Sequence, residues 1–150
     1  MKLIFYFSIV CKELDDEFLK LAQTYEFKAG TTLLLSIIHN GRFTIANIGD
    51  SAAMLLKDNG TMLRLTDDQT PDRDDEYNRI VGQNGFVSMK NGVARVDGSV
   101  AVSRAIGDMN YKKYLIPEPE TYNYQIQQND DLLVMSSDGL YLVYTEEQVS

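Results

Sequence analysis

TTLLLSIIHNGRFTIANIGDSAAMLLK, residues 31–57, decides the fold. It opens on a continuous apolar run, 31–38, which predicts a strand covered on both faces. Asn40-Gly41 follows, the dipeptide that best suits a two-residue hairpin. The chain returns through 42–48, where Phe43, Ile45 and Asn47 alternate with Arg42, Thr44 and Ala46. Gly49-Asp50-Ser51 turns it again, and 52–57 makes a third strand. Antiparallel hairpins joined this tightly cannot be the βαβ units of a parallel sheet.

The pattern continues toward the C-terminus. Asp58-Asn59-Gly60 turns the chain into 61–65. Across 66–85 acids gather around Pro71, and Glu76, Tyr77 and Ile80 make a short helix ending near Gly82 or Gly85. Carboxylates favour helix N-termini without help, so the acidic run is expected to be a solvated helix start rather than a metal cluster. FVSM, Asn91-Gly92 and VARV form a second hairpin. Residues 95–119 are irregular, Tyr122, Tyr124 and Ile126 alternate as a strand, and LLVMSS (132–137) is the last central one. Toward the N-terminus, Leu14, Phe18, Leu21 and Tyr25 have helical spacing over 13–27. Leu3 to Val10 is apolar except for Ser8, far short of the roughly 20 residues a spanning helix needs. No small-residue cleavage site follows it, and it is read as a buried strand rather than a targeting segment. The whole predicts one α+β domain over 1–150, two antiparallel β-sheets packed as a sandwich with flanking helices.

Composition narrows the function. Apolar residues make up 44% and charged residues 24% of the 150, which excludes disorder. A net charge of −8 argues against nucleic-acid or anionic-membrane partners. One cysteine, Cys11, allows neither an internal disulfide nor a thiolate zinc site, and fits a cytoplasmic protein. The one histidine, His39, sits at a strand end, which disfavours Ser-His-Asp chemistry.

Two aspartates share one setting. Asp50 follows the apolar strand 42–48 between Gly49 and Ser51; Asp138 follows 132–136 between Ser137 and Gly139. Either alone could simply cap a turn. Carboxylates at adjacent strand ends can also converge on a hard cation such as Mg²⁺ or Mn²⁺. A buried Asp138 would need such compensation.

GTTLLLSIIHNGRFTIANIGDS, LTDDQTP, RVDGSVAVSRAIGD, PEPE and DDLLVMSSDGL, in that order, resemble the successive motifs of the type 2C metal-dependent protein serine/threonine phosphatases, from about Ala29 onward. The resemblance implies the same sandwich, with helices outside. It implies hydrolysis of phosphoserine and phosphothreonine in phosphorylated protein substrates by a water activated on two Mg²⁺ or Mn²⁺ ions. Asp138 matches the family's metal-bridging aspartate, and Asp50 the aspartate of a third, weaker metal. Gly49, Gly139, Gly107 and Asp108 are expected to support the site, and Arg104 to form an internal ion pair. The departures are specific. The residues before Ala29 lack the family's Asp-Gly-His-Gly, and no Asp-Asn follows Asp138. Tyr141 and Leu142 stand in place of the family's Trp-Asp, Ala52 in place of an Arg, and Gln69-Thr70 in place of Asp-His. Thr145 to Gln148 fits a capping box two residues before the last. The expectation is a domain truncated at both ends and inactive by itself. The alternative is a pseudophosphatase that serves as a binding scaffold.

Overall fold

Asn40 and Gly41 both take positive φ, 49° and 68°, as a two-residue hairpin turn requires, and His39 pairs with Arg42 across it. Asn91 and Gly92 repeat the device at 53° and 79°, with Lys90 opposite Val93. The computed structural model describes residues 2–141; the predicted capping box at 145–148 lies outside the described residues. In chain order the elements are α1 (Lys2–Tyr25), β1 (Gly30–Thr31), β2 (Leu33–His39), β3 (Arg42–Ile48), β4 (Ala52–Lys57), β5 (Met62–Arg64), α2 (Asp74–Gly82), β6 (Val87–Lys90), β7 (Val93–Val96), β8 (Ile106–Gly107), β9 (Glu120–Gln125), β10 (Asp130–Ser136) and α3 (Asp138–Tyr141).

Two three-stranded antiparallel sheets, β2-β3-β9 and β10-β4-β5, form the α+β sandwich. They meet through Phe43 and Ile45 of β3 and Ala53 and Leu55 of β4, flanked by Leu34, Tyr122, Tyr124 and Leu133. Phe43 and Tyr124 stack at 6.4 Å, an arrangement that adds about 1 kcal/mol to their burial. The other face of β3 lies under α1, where Cys11 packs on Ile48 and Ile106. This double covering explains why β3 is buried from Phe43 to Ile48. A separate cluster of Ile80, Val96, Ala105 and Leu115 joins α2 to β7 and to the segments on either side of β8.

Two expectations fail here. Residues 3–10 are not a strand. They begin α1, a single helix of 24 residues, because Phe7, Cys11, Asp15 and Ala22 are buried at helical spacing and continue the stripe of 13–27. A run apolar at nearly every position fits either period; the helix C-terminal to it decided the outcome. Nor is β2 covered on both faces: it is the edge of its sheet, and Leu35 and Ile38 are exposed.

The segment Ala105 to Asp108 fastens α1 to the sandwich. Gly107 N–H donates to Asp15 Oδ1 at 2.7 Å, and Lys112 pairs with the same carboxylate. β1 pairs with β8, and Asp108 N–H donates to the Ala29 carbonyl. Gly107 has φ +82°, and a Cβ there would lie 2.6 Å from the Ala29 carbonyl oxygen. Gly107→Ala should therefore lower unfolding free energy by about 2–4 kcal/mol in urea titrations. A loss under about 0.5 kcal/mol, the scale of an ordinary surface change, would contradict this packing.

Candidate metal centre

Asp50 stands where the chain crosses from β3 in one sheet to β4 in the other. Gly49 makes the crossing with φ +99°, and a Cβ there would lie 2.3 Å from Thr32 Cγ2. The loop is held from three sides. Gly49 N–H donates to Gln69 Oε1 at 2.7 Å, while Gln69 Nε2 donates to the Asn47 carbonyl at 3.0 Å. Asn47 Nδ2 donates to the Gly49 and Asp67 carbonyls. Ser51 Oγ shares a hydrogen bond with Thr32 Oγ1. Gln69 and Asn47 are fully buried, so these bonds form out of water, and losing either partner would strand a buried polar group.

Asp138 reaches the same place from β10. β10 pairs antiparallel with β4, and their ladder closes at Ser136 opposite Ala52. Asp50 and Asp138 each lie two residues beyond that pair, at the same end of the two strands. They are close enough for the charge of Asp138 to act on Asp50. Burial first, and then the negative charges of Asp138 and Asp68, push the Asp50 carboxyl above the usual range, against a backbone hydrogen bond that lowers it. Asp50 is half-buried. Asp138 is exposed at the first residue of α3, so its charge is not the buried one its apolar flanks suggested. Among the described residues, no cationic side chain pairs with either. Two adjacent hard-oxygen donors with unbalanced charge fit Mg²⁺ or Mn²⁺ completed by water. They are not, by themselves, a full binuclear set.

A second acidic group is of another kind. Carboxylate oxygens of Asp75, Glu76 and Glu120 lie within 4.8 Å of one another. Arginines already occupy them. Arg104 donates to Glu76 at 2.6 Å and to Glu120 at 3.0 Å, Arg79 to Glu76 at 2.6 Å, and Arg73 to Asp75 and Glu120. Glu76 is buried although Asp74 and Asp75 before it are exposed, so only the first part of the acidic run is a solvated helix start. Arg104 is thus an internal ion-pair residue, its remaining donor on the Glu118 carbonyl. A polar cleft of about 620 Å³ opens beside the network, lined by Arg64, Asp67, Asp68, Arg73 and Glu120. Arg64 and Arg73 are both held by carboxylates there.

The supporting residues separate by physical role. Gly49 and Gly107 are required by backbone shape. Gly139 is not: its nearest neighbour to an added Cβ is Ser137 Oγ, 3.6 Å away. Asp108 is half-buried against Gly30, where a Cβ would lie 2.0 Å from its Oδ2. Burial raises its carboxyl and the Lys112 charge opposes this. The residue that sequence reasoning missed is Gln69. It was visible as a departure from a motif, but nothing local says that its amide closes the Asp50 loop 20 residues upstream.

Comparison with known proteins agrees with this architecture. The family model described as Protein phosphatase 2C matches residues 7–150. Probable protein phosphatase 2C 14 of Arabidopsis thaliana is 39% identical over 120 residues, 80% of this chain and 27% of that protein. Probable protein phosphatase 2C 2 of the same plant is 41% identical over 127 residues, 85% of this chain and 32% of its own length. The chain therefore spans about a third or less of these two relatives. Among solved structures, a C. elegans sex determining protein superposes with a TM-score of 0.86 at 26% identity, over 93% of this chain and 34% of that one. A serine-threonine phosphatase 2C from Toxoplasma gondii gives the same TM-score at 24% identity, over 97% and 53%, a likeness of fold.

The arginine network has a pH consequence. Burial alone would raise the Glu76 carboxyl, but hydrogen bonds from Arg104 and Arg79 outweigh it and hold it below the usual range. Glu120 is likewise lowered, burial being outweighed by Arg73, Tyr122 and Arg104. A depressed carboxyl contributes stability fully above its unfolded value, about 4.3 for Glu, and loses it as pH falls through the folded value. The urea midpoint should fall from pH 5 toward pH 3, and Glu76→Gln should flatten that fall. Equal slopes in the two proteins would show that Glu76 is not a depressed carboxyl in the fold.

Proposed function

Because this chain belongs to the protein phosphatase 2C family, we propose that it is a protein serine/threonine phosphatase domain acting on phosphorylated proteins, with Asp138 and Asp50 as carboxylate ligands of Mg²⁺ or Mn²⁺. One observation carries the proposal. The β4–β10 register sets two motif aspartates at one sheet end, and the charge of one raises the carboxyl of the other. A divalent cation there would activate water and offset the charge of a phosphate ester. The protein's own contribution is to hold the ligands still: Gln69, Asn47 and Thr32 fix the Asp50 loop, and the β4–β10 ladder fixes the approach of Asp138. The Asp75, Glu76 and Glu120 group has no part in it, because a cation would have to displace arginines that are already hydrogen-bonded.

By themselves these 150 residues bring two carboxylates to a two-metal chemistry. We therefore expect weak cation binding and no appreciable turnover from this chain alone. Leu142, at the position of an aspartate in the motif that this segment resembles, supports the second reading, a scaffold that keeps the fold without the chemistry. Described residues include no helix long and apolar enough to cross a membrane.

Mn²⁺ titration followed by water-proton relaxation tests the ligand assignment. Asp138→Asn and Asp50→Asn should each weaken binding by about tenfold, since hard-cation affinity follows carboxylate count. Asp75→Asn should leave it unchanged. Turnover of p-nitrophenyl phosphate or a phosphothreonine peptide in millimolar Mn²⁺ should stay at background for the parent and for Asp138→Asn. Robust turnover that Asp138→Asn abolishes would show that the two carboxylates suffice; binding indifferent to both substitutions would sink the assignment.

A further inference from the structure

Asp50 faces a second acid besides Asp138. β4 and β5 pair with Met54 opposite Arg64. The same offset continues beyond that ladder: Leu65 N–H donates to the Ala53 carbonyl at 2.8 Å, and Gln69 N–H to the Gly49 carbonyl at 3.0 Å. Asp50 therefore falls opposite Asp68. Like charges set opposite each other across an antiparallel pair repel. The Asp68 charge is accordingly among those that raise the Asp50 carboxyl.

The acidic segment is tied down and cannot withdraw. Thr66 Oγ1 accepts from Ala53 N–H at 3.0 Å. The Asp67 carbonyl accepts from Asn47 Nδ2, and its N–H donates to the Tyr122 hydroxyl. The Asp68 carbonyl accepts from Arg73 Nη1 at 3.2 Å, and the Gln69 carbonyl from Ser103 N–H at 2.9 Å. With the backbone of 66–69 fixed, a side chain must relieve the repulsion. Arg64 does so from the end of β5. Its Nε donates to the Thr66 carbonyl at 2.8 Å, and its Nη2 pairs with the Asp68 carboxylate. The two side chains of this pair are 37% and 39% exposed, whereas Arg104, inside the arginine network, is 12% exposed. An ion pair this open to water is weak and gives way to a stronger competitor. A divalent cation beside Asp50, with twice the charge, is such a competitor.

We propose that Arg64 is a resident counter-ion of the Asp50 centre, which neutralises Asp68 until a divalent cation takes over that charge, and so sets the cation concentration at which the centre fills. The inference rests on the reading of Asp50 and Asp138 as cation ligands, and adds the residue that opposes binding. Arg64 lowers cation affinity in two ways: its own charge repels the ion, and its bond to Asp68 removes a charge that would attract it. Once Asp68 no longer needs it, the guanidinium swings into the polar cleft that it lines.

Cation titrations of the 150-residue chain at low ionic strength test this. By water-proton relaxation, Arg64→Gln should tighten Mn²⁺ binding about three- to fivefold, the range open to a pair this exposed, and added salt should shrink the gain. In an Asp68→Asn background the same change should alter affinity by less than about twofold, because the charge it uncovers is gone. Both side chains are partly exposed, and circular dichroism of each variant should match the parent. In the parent, Mg²⁺ should shift the Arg64 Nε–Hε resonance as its bond to Thr66 is released, and Asp50→Asn should abolish that shift. Mn²⁺ binding that Asp50→Asn weakens, but that Arg64→Gln weakens or leaves unchanged, overturns the proposal and leaves the ligand assignment standing. An equal gain with and without Asp68, or an Arg64 resonance that Mg²⁺ does not move, also overturns it. Binding indifferent to Asp50→Asn overturns the ligand assignment, and this proposal with it.

Discussion

Between Ile48 and Ala52 the chain leaves one sheet and enters the other in three residues, and the sandwich is built around that crossing. β3 before it and β4 after it are the central strands of their sheets, so the loop lies at the junction of the two layers. A crossing this short admits no side chain at Gly49, whose place is taken by Thr32. It also leaves backbone groups that no ladder can pair. Gln69 satisfies them, accepting from Gly49 N–H and donating to the Asn47 carbonyl, while its own backbone N–H donates to the Gly49 carbonyl. Asp50 inherits its position from this closure. The same fully buried glutamine reaches the arginine network, since Ser103 N–H donates to its carbonyl.

That network and the candidate metal centre show two ways of arranging clustered carboxylates. Around Glu76 the charges are balanced internally by Arg73, Arg79 and Arg104, and the carboxyl is held low. Around Asp50 the neighbours are Asp138 and Asp68, and the carboxyl is pushed up. The two acidic groups are shifted in opposite directions: the one around Glu76 is already balanced by arginines, while the one around Asp50 would gain by taking up a cation.

Much of this was legible in the sequence where the chain's local chemistry has one solution. Asn40-Gly41 and Asn91-Gly92 each force a two-residue hairpin, and the β2–β3 and β6–β7 registers follow. The motif aspartates were legible as a pair, and Arg104 as an ion-pair residue. Three features were not. Leu3 to Val10 is apolar at almost every position, so its period is undefined until the helix after it imposes one. The exposure of β2 depends on its being an edge, which is a property of strand order rather than of the run itself. The closure of the Asp50 loop by Gln69 depends on a side chain brought back from beyond β5, and no local pattern marks it.

The proposed Mg²⁺ or Mn²⁺ ion sits at the β4–β10 end and not among the arginines. Paramagnetic broadening of backbone amide resonances by substoichiometric Mn²⁺ reads this most directly. The amides of Gly49 to Ser51 and of Ser137 to Gly139 should broaden together, ahead of those at Asp75, Glu76 and Glu120. Broadening centred on Asp75 and Glu76, or spread evenly over the acidic surface, would contradict it.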